Sequence, residues 1–289
     1  MIHPVALACL STLCLGSGLV TGKLGLRDVD ARTGAATSVP TAAAFFLVVS
    51  LFGLDLSAGS WKAAGVFVLV GLFFPAMVTI LNFVTTNRIG ASLTGSIAGT
   101  SPLFALFAAL LILGEAIPPR AVFATLGVIA GVSLMSWRHQ AMRRRRVGWV
   151  IALAVGGAAI RGVAQVLAKG GLALWPSPLA ATVIGYCASA SVLLAASAWR
   201  RDPASRRPRT PASIRWMMAT GLLNGLGLMM MYMALKAAPV STVAPIVATY
   251  PLVTVLLGSL ALHDEALTPQ VLAGAVLAIA AVIYLLVGG

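Results

Sequence analysis

Few residues inside this chain could do chemistry, and the one that asks most of its surroundings is Arg161. It stands near the middle of LAVGGAAIRGVAQVLAKGG, residues 153 to 171, with Gln165 and Lys169 following at helical spacing. Residues spaced i, i+4 and i+8 share one stripe of a helix. A guanidinium presents five donors in a planar fork that matches a carboxylate. In hydrocarbon an unpaired charge at this depth costs at least about 2.5 to 3.5 kcal/mol. Arg161 is roughly 12 Å along the helix from Lys169, near the limit of snorkelling. Its side chain must therefore face protein, water or a substrate. Two readings follow: a structural arginine pinned by backbone carbonyls, or a recognition group for an anionic or zwitterionic substrate, with the stripe as the polar wall of a cavity.

The other polar residues in apolar surroundings sort by the same test. Asn82 and Asn224 each have several hydrogen-bonding positions to fill and must turn inward, as helix-packing glue or as substrate contacts. Tyr232 and Tyr250 pair an apolar body with a polar tip. Tyr250 precedes Pro251, where a freed carbonyl needs a partner, so it is the stronger cavity candidate. Ser96, Thr100 and Thr249 either face a substrate or bond back to their own helices. Met229, Met230, Met231 and Met233 read as packing, with Met229 and Met233 offering an adaptable apolar face.

The missing groups narrow the chemistry further. All seven acidic residues, Asp28, Asp30, Asp55, Glu115, Asp202, Asp264 and Glu265, fall in loops or at the ends of apolar runs, as do His3, His139 and His263. An intramembrane hydrolase needs a buried histidine or a ligand cluster, so an enzyme is not expected and neither a metal nor another cofactor is implied. A cation-for-proton multidrug antiporter needs a midplane carboxylate, and none is present. Cys9, Cys14 and Cys187 lie inside apolar runs and read as small packing residues.

The elements that must position these residues are set by composition. Hydrophobic residues make up 60% of the 289, charged residues 9%, and mean hydropathy is +0.99. This is the composition of an integral membrane protein. Crossing about 30 Å of hydrocarbon takes roughly 20 apolar residues. Ten such spans are predicted, at 4–22, 34–54, 63–84, 92–113, 119–137, 148–169, 178–199, 214–235, 241–262 and 268–287. Pro102 and Pro251 are expected to interrupt the fourth and ninth, permitting bending. Trp61, Trp137, Trp149, Trp175, Trp199 and Trp216 fall near span ends and read as interfacial anchors.

Charge then orients the bundle. Loops one, three, five, seven and nine carry fifteen Lys and Arg, including Arg143 to Arg146, against four on the other side. The richer side is expected in the cytoplasm and both termini outside. The net charge of +13 thus has a partner in anionic lipid headgroups, and nucleic acid is not needed to explain it. The first span lacks a basic segment before it and has positives after it, the pattern of an uncleaved helix and not of a signal peptide.

The chain is also written twice. At an offset of 146, ALACLSTLCLGSGLVTGKLG (6 to 25) meets ALAVGGAAIRGVAQVLAKGG (152 to 171), pairing Gly16 with Gly162 and Lys23 with Lys169. AAT at 35 to 37 meets AAT at 180 to 182, and at an offset of 149 Ser92, Thr100 and Pro102 meet Ser241, Thr249 and Pro251. Glu115 and Glu265 pair with one residue inserted. Five spans per copy is an odd number, so the second copy enters the membrane inverted, a transporter signature.

The second copy, ALKAAPVSTVAPIVATYPLVTVLLGSLALHDEALTPQVLAGAVLAIAAVIYLL, and the first, TTNRIGASLTGSIAGTSPLFALFAALLILGEAIPPRAVFATLGVIAGVSLM, resemble the EamA repeat of the drug/metabolite transporter superfamily. The resemblance implies two repeats, 1–140 and 147–289, in an all-α, ten-helix, five-plus-five bundle that moves small metabolites, often amino acids. One departure stands out: where the family often has Trp-Gly in its first helix, this chain has Leu15-Gly16 and Arg161-Gly162. The expectation is an inner-membrane permease, monomeric, exporting a small zwitterionic or anionic metabolite by alternating access. Its substrate contacts are drawn from Arg161, Gln165, Asn82, Asn224, Tyr250, Tyr232, Ser96 and Thr100. Phosphorylated or nucleotide-linked substrates on the same fold, or a non-transporting scaffold or receptor, are the alternatives. Without a midplane acid, facilitated diffusion or exchange is expected over proton antiport.

Overall fold

The computed structural model describes residues 3–55, 59–141, 148–199, 210–262 and 268–287. Among them are thirteen α-helices, one short π-helical stretch and no β-strand. In chain order they make ten spans: α1 (Pro4–Gly25), α2 (Ala31–Gly53), α3 (Trp61–Phe73) continued by α4 (Ala76–Ile89), and α5 (Ala91–Ala98) continued by α6 (Ser101–Ala108) and the π-helical Ala109–Leu113. Then come α7 (Pro119–Ala141), α8 (Gly148–Leu174), α9 (Pro178–Trp199), α10 (Pro211–Ala237), α11 (Val240–Val247) continued by α12 (Tyr250–Leu262), and α13 (Pro269–Val287). By length and composition nine of these stretches can cross a bilayer, and the fifth span adds the shorter apolar run Pro119–Met135. Phe52, Phe107, Leu111, Phe123 and Val276 turn outward, as lipid contact requires, while alanines and glycines fill the interior. The run Arg143 to Arg146 and the acids Asp202, Asp264 and Glu265 lie outside the described residues.

Three spans are interrupted, and one of these was not expected. Pro75 has no N–H and forces the residue before it out of helical geometry, so Phe74 is extended at φ −137 and ψ 118. The third span is therefore two helices, where a continuous one over 63–84 was predicted. The Gly71 carbonyl, which an N–H at position 75 would have satisfied, accepts instead from Ser189 Oγ of α9. The same hydroxyl accepts from Ala76 N at 3.2 Å.

The fourth and ninth spans break one turn before the expected prolines. The turns are at Gly99–Thr100 and Ala248–Thr249, and Pro102 and Pro251 occupy the second position of α6 and α12. A proline there starts a helix, since its missing N–H has no intrahelical acceptor. The two turns match atom for atom: Thr100 and Thr249 donate their hydroxyls to Ile97 O and Ile246 O, both at 2.7 Å.

The halves interlock. α1 lies along α10 and against α12, α8 lies against α6 and the broken third span, α2 meets α9, and α7 meets α13. Two glycines seat the first helix of each repeat on the broken helix of the other. A Cβ at Gly16 would stand 2.7 Å from Tyr250 O, and one at Gly162 would stand 2.6 Å from Ser101 O. These are repeat-equivalent contacts at the offsets found in the sequence.

With ten spans, Pro4 and Val287 fall at one end of the bundle, here the terminal end, and the turns at Leu26–Asp30 and Gly90 at the other, here the basic end. At the basic end Asp28 accepts from Ser213 Oγ at 2.6 Å and Thr210 Oγ1 at 2.9 Å. The Ser213 and then the Thr210 hydrogen bonds hold its carboxyl below the usual carboxylate range. Trp149 is exposed and lies beneath the Arg88 guanidinium, 5.6 Å from the ring centroid. Trp61 and Trp216 are exposed too, but Trp175 is buried and packs on Phe67, so it is a core residue and not an interfacial anchor. Cys9 is exposed on the outside of the bundle, so it does not fill an interior gap.

Candidate functional site

The three interruptions surround one cavity. Phe74 and Pro75 come to it from the first break, Ser101 from the second, and Val247, Ala248 and Tyr250 from the third. Other helices contribute the rest: Leu15, Gly18 and Leu19 from α1, Val78, Thr79, Asn82 and Phe83 from α4, Arg161 and Gln165 from α8, Tyr186 from α9, and Asn224, Leu228 and Met231 from α10. The empty space among them, counted together with the open solvent at its mouth, is about 750 Å³. Broken helices are tolerated in a membrane where their backbone lines such a cavity.

Exposure grades along it. Gln165, Tyr186, Leu228, Met231, Val247 and Tyr250, at midplane and toward the terminal end, are buried. Leu15, Leu19, Thr79, Asn82 and Asn224, at midplane and toward the basic end, are partly exposed. The partly exposed lining residues thus lie on the basic-end side, where Gly18, Val78 and Phe83 are buried.

Arg161 sits at its polar centre and is 8% exposed. Its guanidinium carbon lies 5.7 Å from the centroid of the Phe74 ring and 5.4 Å from that of Tyr250. A desolvated cation–π contact is worth up to about 2 kcal/mol, so two rings offset a cost of about 2.5 to 3.5 kcal/mol for an arginine at midplane. Ring contacts occupy no N–H donor, however. Arg161 Nε and, one turn on, Gln165 Oε1 are buried without a hydrogen-bond partner among the described residues. The arginine is thereby held by aromatic faces contributed by both repeats, and its Nε–H is left without a partner among the described residues.

Of the residues expected to contact a substrate, Arg161, Gln165, Asn82, Asn224 and Tyr250 come together here. Tyr232, Ser96 and Thr100 do not line the cavity. Tyr232 is buried in the apolar core, Ser96 donates to Val132 O at 3.2 Å, and Thr100 caps its own helix turn, as does Thr249. Among the methionines Met231 reaches the cavity, while Met229 and Met233 pack against the core. Phe74, Pro75 and Tyr186 were missed. A proline inside a long apolar run was a signal for the first two; a lone buried tyrosine carries none.

Lys169 continues the stripe but leaves the cavity wall. It pairs with Glu115 at 2.9 Å and donates to Ala238 O at 2.7 Å, and Glu115 Oε2 accepts from Val240 N at 3.1 Å. Gly114, at φ +64, turns the chain out of the π-helical stretch and aims Glu115 at this cluster. The cluster joins the two repeats across the terminal end.

The sequence profile of a family described as the EamA-like transporter family matches residues 3–137 and 148–287, once per repeat. No match among curated proteins is found. A solved structure described only as a crystal structure of a protein superposes with a TM-score of 0.78 at 18% identity, over 98% of this chain and 97% of that one. At that identity the likeness shows the fold alone.

Proposed function

The chain belongs to the EamA-like transporter family, and we propose that it carries a small zwitterionic or anionic carboxylate across the inner membrane, with amino-acid export as its role. The observation that supports this most is Arg161, buried between two aromatic rings with Nε unsatisfied at the centre of the cavity. A carboxylate accepting from Arg161 Nε–H satisfies the first orphaned atom, and a donor on the same substrate, such as an α-ammonium, satisfies Gln165 Oε1. A phosphorylated substrate would call for a second cation; Lys169, the nearest on the same stripe, is already engaged by Glu115.

Alternating access is the cycle this reading requires. Rocking the interlocked repeats about the Gly16 and Gly162 contacts would close the basic end and part the cluster around Glu115 and Lys169. With the basic end in the cytoplasm, the partly exposed lining residues meet cytoplasmic substrate. Since no carboxylate lines the cavity among the described residues, transport runs by substrate gradient or exchange.

The experiment that tests this is uptake from a mixed metabolite pool into proteoliposomes, read by mass spectrometry, with and without a pH gradient. Accumulation of carboxylate-bearing solutes in both conditions is the expected result. Obligatory proton dependence that Glu115→Gln abolishes would reassign the coupling, and enrichment of sugars or cations alone would overturn the substrate class. Single cysteines near Ala238 and near Asp28, probed with an impermeant thiol reagent in intact cells, test the orientation; labelling at position 28 only would reverse it.

A further inference from the structure

The repeat that makes the cavity symmetric in backbone makes it asymmetric in chemistry. At the offset of 146, Leu15 and Leu19 of α1 are the counterparts of Arg161 and Gln165 of α8, and all four line the cavity. One helix of the related pair thus presents a guanidinium and an amide, and the other presents two leucines in the same places. Val78 and Leu228 add to the apolar lining. The half-buried amides, Asn82 and Asn224, lie between these extremes; Asn224 Oδ1 rests against Gly18 so closely that a side chain at that glycine would displace it.

We infer that Leu15 and Leu19 are the specificity-determining residues: they select, among small carboxylates, those whose far end is an uncharged aliphatic or aromatic group. This rests on the reading of Arg161 as the carboxylate site. A molecule anchored there by its carboxylate turns its other end toward α1. Each methylene buried against the leucines is worth about fourfold in affinity. A second charge, or a polar group that does not reach the Asn224 amide at Gly18, loses its hydration there with no partner in return, roughly ten- to a hundred-fold. An α-ammonium is accommodated differently, because Asn82 and Asn224 also line the cavity and carry amide oxygens that accept from it.

The test is binding to the purified full chain in lipid nanodiscs, with L-leucine, L-glutamine, L-glutamate and L-lysine as probes. Wild type is expected to bind leucine at least tenfold more tightly than the other three. Leu19→Gln, which repeats on α1 the residue found on α8, should lower the leucine-to-glutamine ratio by about tenfold. The ratio is taken within one preparation, so a smaller folded fraction in the variant leaves it unchanged. Glutamate or lysine binding as tightly as leucine, or a ratio unmoved in Leu19→Gln, overturns the selectivity assigned to α1 and leaves the carboxylate site standing. Failure of all four probes to bind protein that elutes as a single folded species overturns both this inference and the function it rests on.

Discussion

The third and eighth spans occupy equivalent places in the two repeats, yet one is broken and the other is a single helix. At the offset of 149 Pro75 corresponds to Asn224. Where the proline stands, α3 ends and α4 begins, and Ser189 repairs the severed ladder. Where the asparagine stands, α10 runs on from Pro211 to Ala237. The supporting residue differs too: the α2 residue packed on α10 near Gly225 is the buried Ala42, which has no hydroxyl to give. The difference teaches that duplication preserved the path of the backbone while each copy took a separate share of the work. The first copy supplies a bent aromatic shelf, Phe74, and the second supplies the charge placed upon it.

The strongest way to break this division of labour is to remove the charge. Arg161→Gln is expected to weaken binding of a carboxylate substrate by about ten- to a hundred-fold, since a charge-assisted hydrogen bond is worth about 1.5 to 3 kcal/mol. Arg161→Lys should recover only part of it, a point charge replacing a planar fork. Equal binding by wild type and both variants, with only the yield of folded protein reduced, would place Arg161 in the scaffold and remove the asymmetry between the copies.

The glycine pair sharpens the comparison from the other side, because there the copies agree. Gly16→Ala and Gly162→Ala each push a Cβ into a backbone carbonyl of the opposite repeat, an overpacking of about 1 to 3 kcal/mol. Thermal unfolding in detergent should show similar losses for both. A loss at one glycine alone would mean that the halves do not share a common pivot.

A smaller effect is expected at the break itself. Ser189→Ala leaves the Gly71 carbonyl buried without its donor, about 1 to 3 kcal/mol, and lets Phe74 shift against Arg161. Substrate affinity should fall several-fold beyond any change in stability, whereas Ala42→Ser, facing the unbroken eighth span, should leave affinity alone. Identical behaviour of the two variants would deny Ser189 a part in shaping the site.

The smallest expected change is at Asp28, where a loop of the first copy meets the start of α10. Its carboxyl is held below the usual range, so its contribution is present at pH above about 4 and is lost as pH falls through the lowered value. Asp28→Asn should therefore reduce stability slightly near neutrality and bring no further change on acidification, with the two proteins converging at low pH. Curves that stay parallel down to pH 2 would show that the Ser213 and Thr210 contacts do not favour the charged form.

Much of this architecture was legible in the sequence, for reasons that also explain the rest. Ten apolar runs and the inverted repeat depend on composition and register alone, and Arg161 with Gln165 announced itself as polar spacing in an apolar run. Pro75 was passed over because the averaged hydropathy of WKAAGVFVLVGLFFPAMV is unbroken by it, although a proline interrupts the hydrogen-bond ladder whatever the hydropathy. Lys169 shared the stripe of Arg161, but its partner Glu115 comes from a distant turn in the other repeat, and no local pattern joins them. Tyr186 and Tyr232 look alike in sequence; only the packing of α9 and α10 decides that the first faces the cavity.

The seating of α1 along α10 has a consequence for how the protein is made. About 200 residues separate the end of α1 from the helix that covers it, which at roughly 5 to 20 residues per second is about 10 to 40 s of synthesis. Throughout that interval α1 is already in the bilayer with Ser11, Thr12 and the small face of Gly16 to Gly25 turned toward lipid or toward temporary neighbours. The hydroxyl of Ser11, which in the finished protein donates to Gly227 O at 2.7 Å, has no such acceptor until the nascent chain has passed residue 227. Biogenesis of this fold is thus a matter of keeping the first helix waiting, and an insertase or chaperone that shelters it has the most to do before the eighth helix emerges.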